Sequence, residues 1–332
     1  MSDLLESPIE GISLKSISAN GIHMRYAECG ENAGGKVVLF CHGWPESWYS
    51  WRHQLLALSK AGYHCIAPDM RGYGGTDAPP AIEAYSQLHL VGDMVELMRV
   101  LGHSQVVIIG HDWGAQVAWM SALLRPDLFR AVVGMSVPWT PQGKIDLISS
   151  LEKSGINNFY MQYFQTPGVA EAEFETNIEE SLRRIYYTAS GEQDDPSQGF
   201  SILQEGKGFL ASTTNPAHLP AWLPQRDLDY YVSQFQRSGF RGGLNWYRNL
   251  KRSWEQLAPW RGQVIHQPSL FIAGERDSVL RFPASQAQIA AYSKTLPGLH
   301  GCHILEGGGH WIQRERAREV SGLVIGFLGN LA

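Results

Sequence analysis

The chain has 332 residues, 44% apolar and 18% charged, with a formal charge of −5 from 27 basic and 32 acidic groups. That composition supports a large core and excludes a disordered chain, and no Lys or Arg run marks a nucleic-acid or anionic-membrane partner. The opening MSDLLESPIE has no basic flank with an apolar run behind it, no stretch approaches about 18 apolar residues, and Cys29, Cys41, Cys65 and Cys302 show no CxxC spacing, so the expectation is a cytoplasmic protein with reduced thiols, no membrane span, no metal and no cofactor.

Along the chain, SLKSISA and HMRYAEC, split by Asn20-Gly21, predict a β-hairpin. KVVLFCHG and HCIAPD read as strands buried on both faces, with a helical stretch around Trp51–Ala61 between them. Ser86 is placed to N-cap a helix whose apolar side chains Leu90, Met94, Leu97, Met98 and Leu101 fall on one face. QVVIIG is a third buried strand, followed by a helix from about Gly114 to Leu124, and RAVVGMSVP is a fourth.

From Trp139 to Gln263 the pattern turns helical and rich in aromatic residues, without a convincing buried strand. Alternation resumes with PSLFIAGERD, a strand ending near Leu305, and a final helix with Val320, Leu323, Val324, Phe327, Leu328 and Leu331 on one face. These signals predict an α/β fold with a mostly parallel eight-stranded sheet, helices on both faces and an inserted helical cap. The core is assigned to 1–138 and 264–332 and the cap to 139–263.

Ligands of open parallel sheets bind beyond the carboxyl ends of the strands, which directs attention to the loops there. Gly110-His111-Asp112-Trp113-Gly114 has the Gly-x-nucleophile-x-Gly form of a strand-to-helix elbow, with Asp at its centre. The choice of residue matters chemically. A serine alkylated at carbon ends as a stable ether, whereas a carboxylate ends as an ester that water can hydrolyse. Asp112 as a plain helix N-cap is the bland alternative.

His310, after Gly307–Gly309, is placed to act as general base. Asp277 would orient its ring, with Glu275 as a nearby competitor. Backbone N–H groups of Trp44 and Trp113 are placed to form an oxyanion hole, and Pro45 stands in a turn tight enough for a cis bond.

HGWPESWYSWRHQL, APDMRGYGGTDAP, GHDWGA, YMQYFQTPGVAEAEFE, SGFRGGLNWYRN and GGGHW together resemble the soluble epoxide hydrolases of the α/β-hydrolase superfamily over nearly the whole chain. The N-terminal phosphatase-type domain of the mammalian members has no counterpart in this sequence. The resemblance implies an α/β-hydrolase fold and conversion of an epoxide to a diol through an ester on Asp112. It also implies two cap tyrosines that hold the epoxide oxygen: Tyr247 in LNWYRN, and Tyr160 in FYMQYF, where Tyr163 is the rival. A phenol with pKa near 10 stays protonated at pH 7 and suits that task.

His42, Pro45, Trp113 and Met161 are expected to line the substrate pocket. Met161 stands where some relatives have a polar residue. The partners expected are an apolar epoxide and water, and a homodimer is compatible with the sequence. A haloalkane dehalogenase shares the Asp elbow, but those resembling this chain commonly carry Asn or Glu after HG, where Trp44 stands. A serine esterase lacks its elbow serine here. A non-catalytic receptor on the same scaffold would have little use for an intact Asp112, Asp277 and His310 set.

Overall fold

A computed structural model describes residues 6–31, 36–194 and 201–331. The hairpin forms as the sequence predicts: β1 (Ser13–Ala19) pairs antiparallel with β2 (Ile22–Cys29) across Asn20 and Gly21. Both turn residues have positive φ, 49° and 75°, and that turn geometry matches the twist of paired strands.

Next come β3 (Val37–Cys41), α1 (Arg52–Lys60), β4 (His64–Pro68), α2 (Gln87–Val100), β5 (Val106–His111), α3 (Trp113–Leu124) and β6 (Phe129–Met135). Val106, Val107, Ile108 and Ile109 of β5 are all buried. Removing each from water contributes on the order of 1.5–3 kcal/mol, so β5 is anchored along its length at the middle of the sheet. The predicted helix near Trp51 begins one turn earlier, as a 3₁₀ turn over Trp48–Trp51. Ser86 holds the N-cap position of α2, but its hydroxyl meets His89 Nδ1 at 2.9 Å and makes no bond to the helix backbone.

Between β6 and β7 (Ser269–Gly274) the described residues form helices and no strand, apart from an isolated bridge between Phe159 and Ile202. The helices are α4 (Leu147–Lys153), α5 (Tyr160–Tyr163), α6 (Val169–Glu175), α7 (Ile178–Thr188), α8 (Gln225–Ser238), α9 (Arg241–Arg248) and α10 (Leu250–Gln256). The chain closes with α11 (Pro283–Ala290), α12 (Tyr292–Thr295), β8 (Leu299–Leu305), α13 (Ile312–Glu315) and α14 (Ala317–Gly329). The sheet order is β1-β2-β4-β3-β5-β6-β7-β8, parallel from β4 to β8. β8 is an edge strand that alternates half-buried and exposed residues.

Polar bonds tie the helical insertion to the sheet domain. Arg52 pairs with Asp227, which also accepts from the Tyr49 hydroxyl at 2.9 Å. Trp48 Nε1 donates to the Tyr230 hydroxyl at 2.8 Å, and Trp246 Nε1 to the Arg71 carbonyl at 3.1 Å. The buried Arg314 guanidinium stacks against Tyr186, Trp222 and Tyr231, its carbon 4.2–4.7 Å from their ring centres. That arrangement joins α13 to the insertion through cation–π contacts in a dry setting. No described helix is long and apolar enough to cross a membrane.

Candidate active site

Parallel strands all end on one side, so the loops after β3, β5, β6, β7 and β8 converge there. Asp112, directly after β5, has φ 52° and ψ −120°, a region that residues with side chains rarely adopt. The glycines beside it explain how the turn closes. A Cβ on Gly110 would lie 1.9 Å from the Gly114 carbonyl oxygen, and one on Gly114 would lie 2.0 Å from that of Cys41. Neither position has room for a side chain, so α3 starts hard against the sheet and Asp112 is pushed outward.

The Asp112 carboxylate accepts from the Trp44 N–H, 2.8 Å from Oδ1, and from the Trp113 N–H. Oδ2 lies 3.7 Å from His310 Nε2. Burial pushes this carboxyl up, and the His310 and His111 charges with the two N–H donors only partly offset it, leaving it above the ordinary aspartate range.

His310 follows β8. Its ring presents Nδ1 to Asp277, 3.2 and 3.3 Å from the two carboxylate oxygens. Burial lowers the His310 pKa, but the Asp277 and Asp112 charges outweigh it and raise it to about 9. Asp277 shows the reciprocal effect: burial raises it, and His310 with the hydrogen bonds it accepts brings it below the usual value. Glu275, the competing acid, is exposed and accepts from the Gly307 N–H at 3.1 Å. It is not the partner of His310.

From the insertion, Tyr160 on α5 and Tyr247 on α9 reach the same place. Their hydroxyls are hydrogen bonded to each other, and burial and then the nearby Asp112 charge push the Tyr160 phenol well up. Tyr247 is raised by burial, Tyr160 and Asp112 in that order. Both therefore carry their protons at neutral pH. Tyr163 points elsewhere, donating to Glu173 at 2.9 Å. Trp113 packs edge-on against Tyr247, ring centres 5.0 Å apart.

The other expected pocket residues divide. Met161 is half-buried, next to Tyr160. Pro45 follows a cis bond, and its carbonyl accepts from the Tyr186 hydroxyl at 2.6 Å. His42 corrects the expectation. Its Nε2 accepts from the Met70 N–H and its Nδ1 meets the Gly43 carbonyl, both at 2.9 Å. With both nitrogens engaged by backbone, the ring fastens the loop and leaves no polar atom for a ligand.

Three residues at the site escape the sequence reading. Ser136 touches both Asp277 and His310. Its sequence signal is its place directly after the apolar run of β6, one of the strand ends that face the site. Glu46 and His111 form a fully buried pair at 2.8 Å, and His111 Nε2 donates to the His310 carbonyl at 2.7 Å. Burial raises the Glu46 carboxyl, but His111 and Arg314 hold it far below the usual range. No local pattern marks Glu46, in the loop after β3, or His111, the last residue of β5, as partners.

An ionised carboxylate in an N–H cradle, a base with an acid behind it and two protonated phenols can together attack carbon, protonate a leaving oxygen and hydrolyse the resulting ester. Comparisons with known proteins give the family of the chain. Residues 36–317 match the α/β-hydrolase fold family. The chain is 42% identical to epoxide hydrolase A of Mycobacterium tuberculosis, covering 95% of this chain and 97% of that protein. It is 37% identical to bifunctional epoxide hydrolase 2 of Sus scrofa over 93% of this chain and 53% of that one. An epoxide hydrolase from an endophytic Streptomyces superposes with a TM-score of 0.92 at 42% identity, covering 97% of this chain and 96% of that one.

The raised pKa of His310 makes stability depend on pH. Folding raises it from about 6.5, so its contribution is complete below about pH 6.5 and is lost as pH rises through about 9. In urea titrations from pH 7 to 10, the unfolding midpoint should fall more steeply for wild type than for His310→Gln. Equal slopes would mean that His310 gains no stabilising charge on folding.

Proposed function

This chain belongs to the epoxide hydrolases of the α/β-hydrolase superfamily, and from that premise we propose that it forms vicinal diols through an ester on Asp112. The observation that carries the reading is the asymmetric setting of the carboxylate. Oδ1 is bound by the Trp44 N–H, while Oδ2 faces His310.

In the first step Oδ2 attacks a ring carbon in line, and the carbon–oxygen bond breaks with its electron pair going to the epoxide oxygen. Tyr160 or Tyr247 protonates that oxygen, so no free alkoxide forms in the buried site. In the second step His310 Nε2 takes a proton from water, and the hydroxide adds to the Asp112 carbonyl carbon. Oδ1 then bears the negative charge in the cradle of the Trp44 and Trp113 N–H groups. Collapse breaks the ester carbon–oxygen bond, and the leaving alkoxide takes the proton from His310 to complete the diol. The proton on the Asp112 carboxyl then passes to His310, which restores the carboxylate beside a protonated imidazole.

Electrostatics links the two steps. The Asp112 charge is one cause of the raised His310 pKa. Alkylation removes that charge, so His310 surrenders its proton more readily, and the tyrosine phenolate left by the first step takes it before His310 acts as base. The phenols favour an epoxide over a halide, which leaves without a proton. The helical insertion, taken as a cap over 139–263, supplies both phenols, and the substrate class is a small apolar epoxide with water as co-substrate.

His310→Gln should stop after the first step, and intact-protein mass spectrometry after incubation with styrene oxide should show one substrate mass added at Asp112. An unmodified protein would remove His310 from the role of second-step base. Tyr160→Phe should slow alkylation about 10²–10³-fold, the usual cost of losing a donor to developing charge. Tyr163→Phe should change it little, and the reverse order in single-turnover rates would place the acid one helical turn away.

A further inference from the structure

We propose that Ser136 is a positioning residue that relays the contact between Asp277 and His310 and thereby fixes which nitrogen of His310 faces water. The inference rests on the reading above, in which His310 is the base of the second step. The Ser136 hydroxyl donates to Asp277 Oδ2 at 2.6 Å and stands 2.8 Å from His310 Nδ1. The direct contacts from Nδ1 to Asp277 are 3.2 and 3.3 Å, long for a charge-assisted bond, which is usually about 2.7–2.9 Å. The shorter path from imidazole to carboxylate therefore runs through the serine.

One hydroxyl has one hydrogen. An ionised carboxylate can only accept, so that hydrogen is committed to Asp277 and the serine oxygen must accept from His310. Nδ1 then carries a proton, and Nε2 is the nitrogen that exchanges one with water beside Asp112.

The backbone supports the assignment independently. Among the described residues only Asn20, Asp112 and Ser136 have positive φ without being glycine. Asn20 stands in the hairpin turn and Asp112 in the elbow, whereas Ser136, at φ 68°, ends a buried strand. Such a conformation costs free energy and persists where surrounding structure enforces it, often at functional sites. The Ser136 N–H continues the ladder to the Ile272 carbonyl at 2.9 Å, and the residue is fully buried. The reversal of φ releases the chain from β6 at the level where the hydroxyl reaches both partners.

The test separates the two half-reactions in Ser136→Ala and Ser136→Gly, by rapid-quench mass spectrometry of the Asp112 peptide with styrene oxide. Both variants should alkylate within about 3-fold of wild type. Both should hydrolyse the ester about 10-fold or more slowly, part of the roughly 10²–10⁴ that a positioned base contributes, and adduct should accumulate at steady state.

Glycine tolerates positive φ without penalty, so it removes the hydroxyl and relieves the backbone together. A slow alanine variant beside a normal glycine variant would make the effect one of backbone conformation and overturn the proposal. Unchanged ester hydrolysis in both, or an equal loss in both steps, would also overturn it. Wild type run alongside must itself pass through an Asp112 adduct. Absence of that adduct fails the covalent reading and the proposal with it, whereas a normal wild-type adduct with unaffected variants fails the proposal alone.

Discussion

The site depends on one constraint: a buried carboxylate held at the turn between β5 and α3, where φ is positive and neither neighbouring glycine has room for a Cβ. That turn decides where the charge stands, and the rest of the site answers the charge. Two backbone N–H groups bind it, His310 faces it, and the phenols of Tyr160 and Tyr247 feel it. A carboxylate buried without such partners would neutralise itself by taking a proton. Here the two N–H donors and the histidine charges offset part of the burial cost, so Asp112 stands above the ordinary aspartate range by less than burial alone would cause.

The groups come from elements far apart in the chain, and rigid connections bring them into register. The His310 N–H donates to the Ala189 carbonyl at 2.8 Å, just after α7, and Trp311 Nε1 donates to the Tyr186 carbonyl at 2.8 Å. The loop bearing His310 is thus fastened to the helical insertion, while the ring of His111, the residue before Asp112, fastens it to the elbow. A shift of the insertion over the sheet would move the phenols and the His310 backbone together.

Much of this was legible in the sequence, and the limits have physical causes. Buried parallel strands announce themselves as apolar runs, and the glycines around Asp112 mark a turn that only a close approach of helix and strand requires. Asp277, His310 and Asp112 follow from looking beyond strand ends. Tyr160 and Tyr247 came only through family resemblance, because a tyrosine in a cap helix has no periodic signature separating it from a packed aromatic. His42 differs for a related reason: its position after β3 suggests a ligand contact, but the fold brings the Met70 N–H and the Gly43 carbonyl to its two nitrogens. Glu46, His111 and Ser136 act through partners distant in sequence, 65 residues apart for the first pair and 141 from Ser136 to Asp277. Such pairings become visible only when the chain is folded.

The claim that Asp112 attacks carbon directly is tested most simply by following oxygen. In a single turnover with enzyme in excess in ¹⁸O-water, the covalent route takes the oxygen of the first diol from the carboxylate, and solvent oxygen enters the protein at the ester carbonyl carbon. The account predicts largely unlabelled diol and ¹⁸O in the peptide containing Asp112. Labelled diol in the first turnover with an unlabelled peptide would show that water attacks the epoxide directly, and would contradict the account.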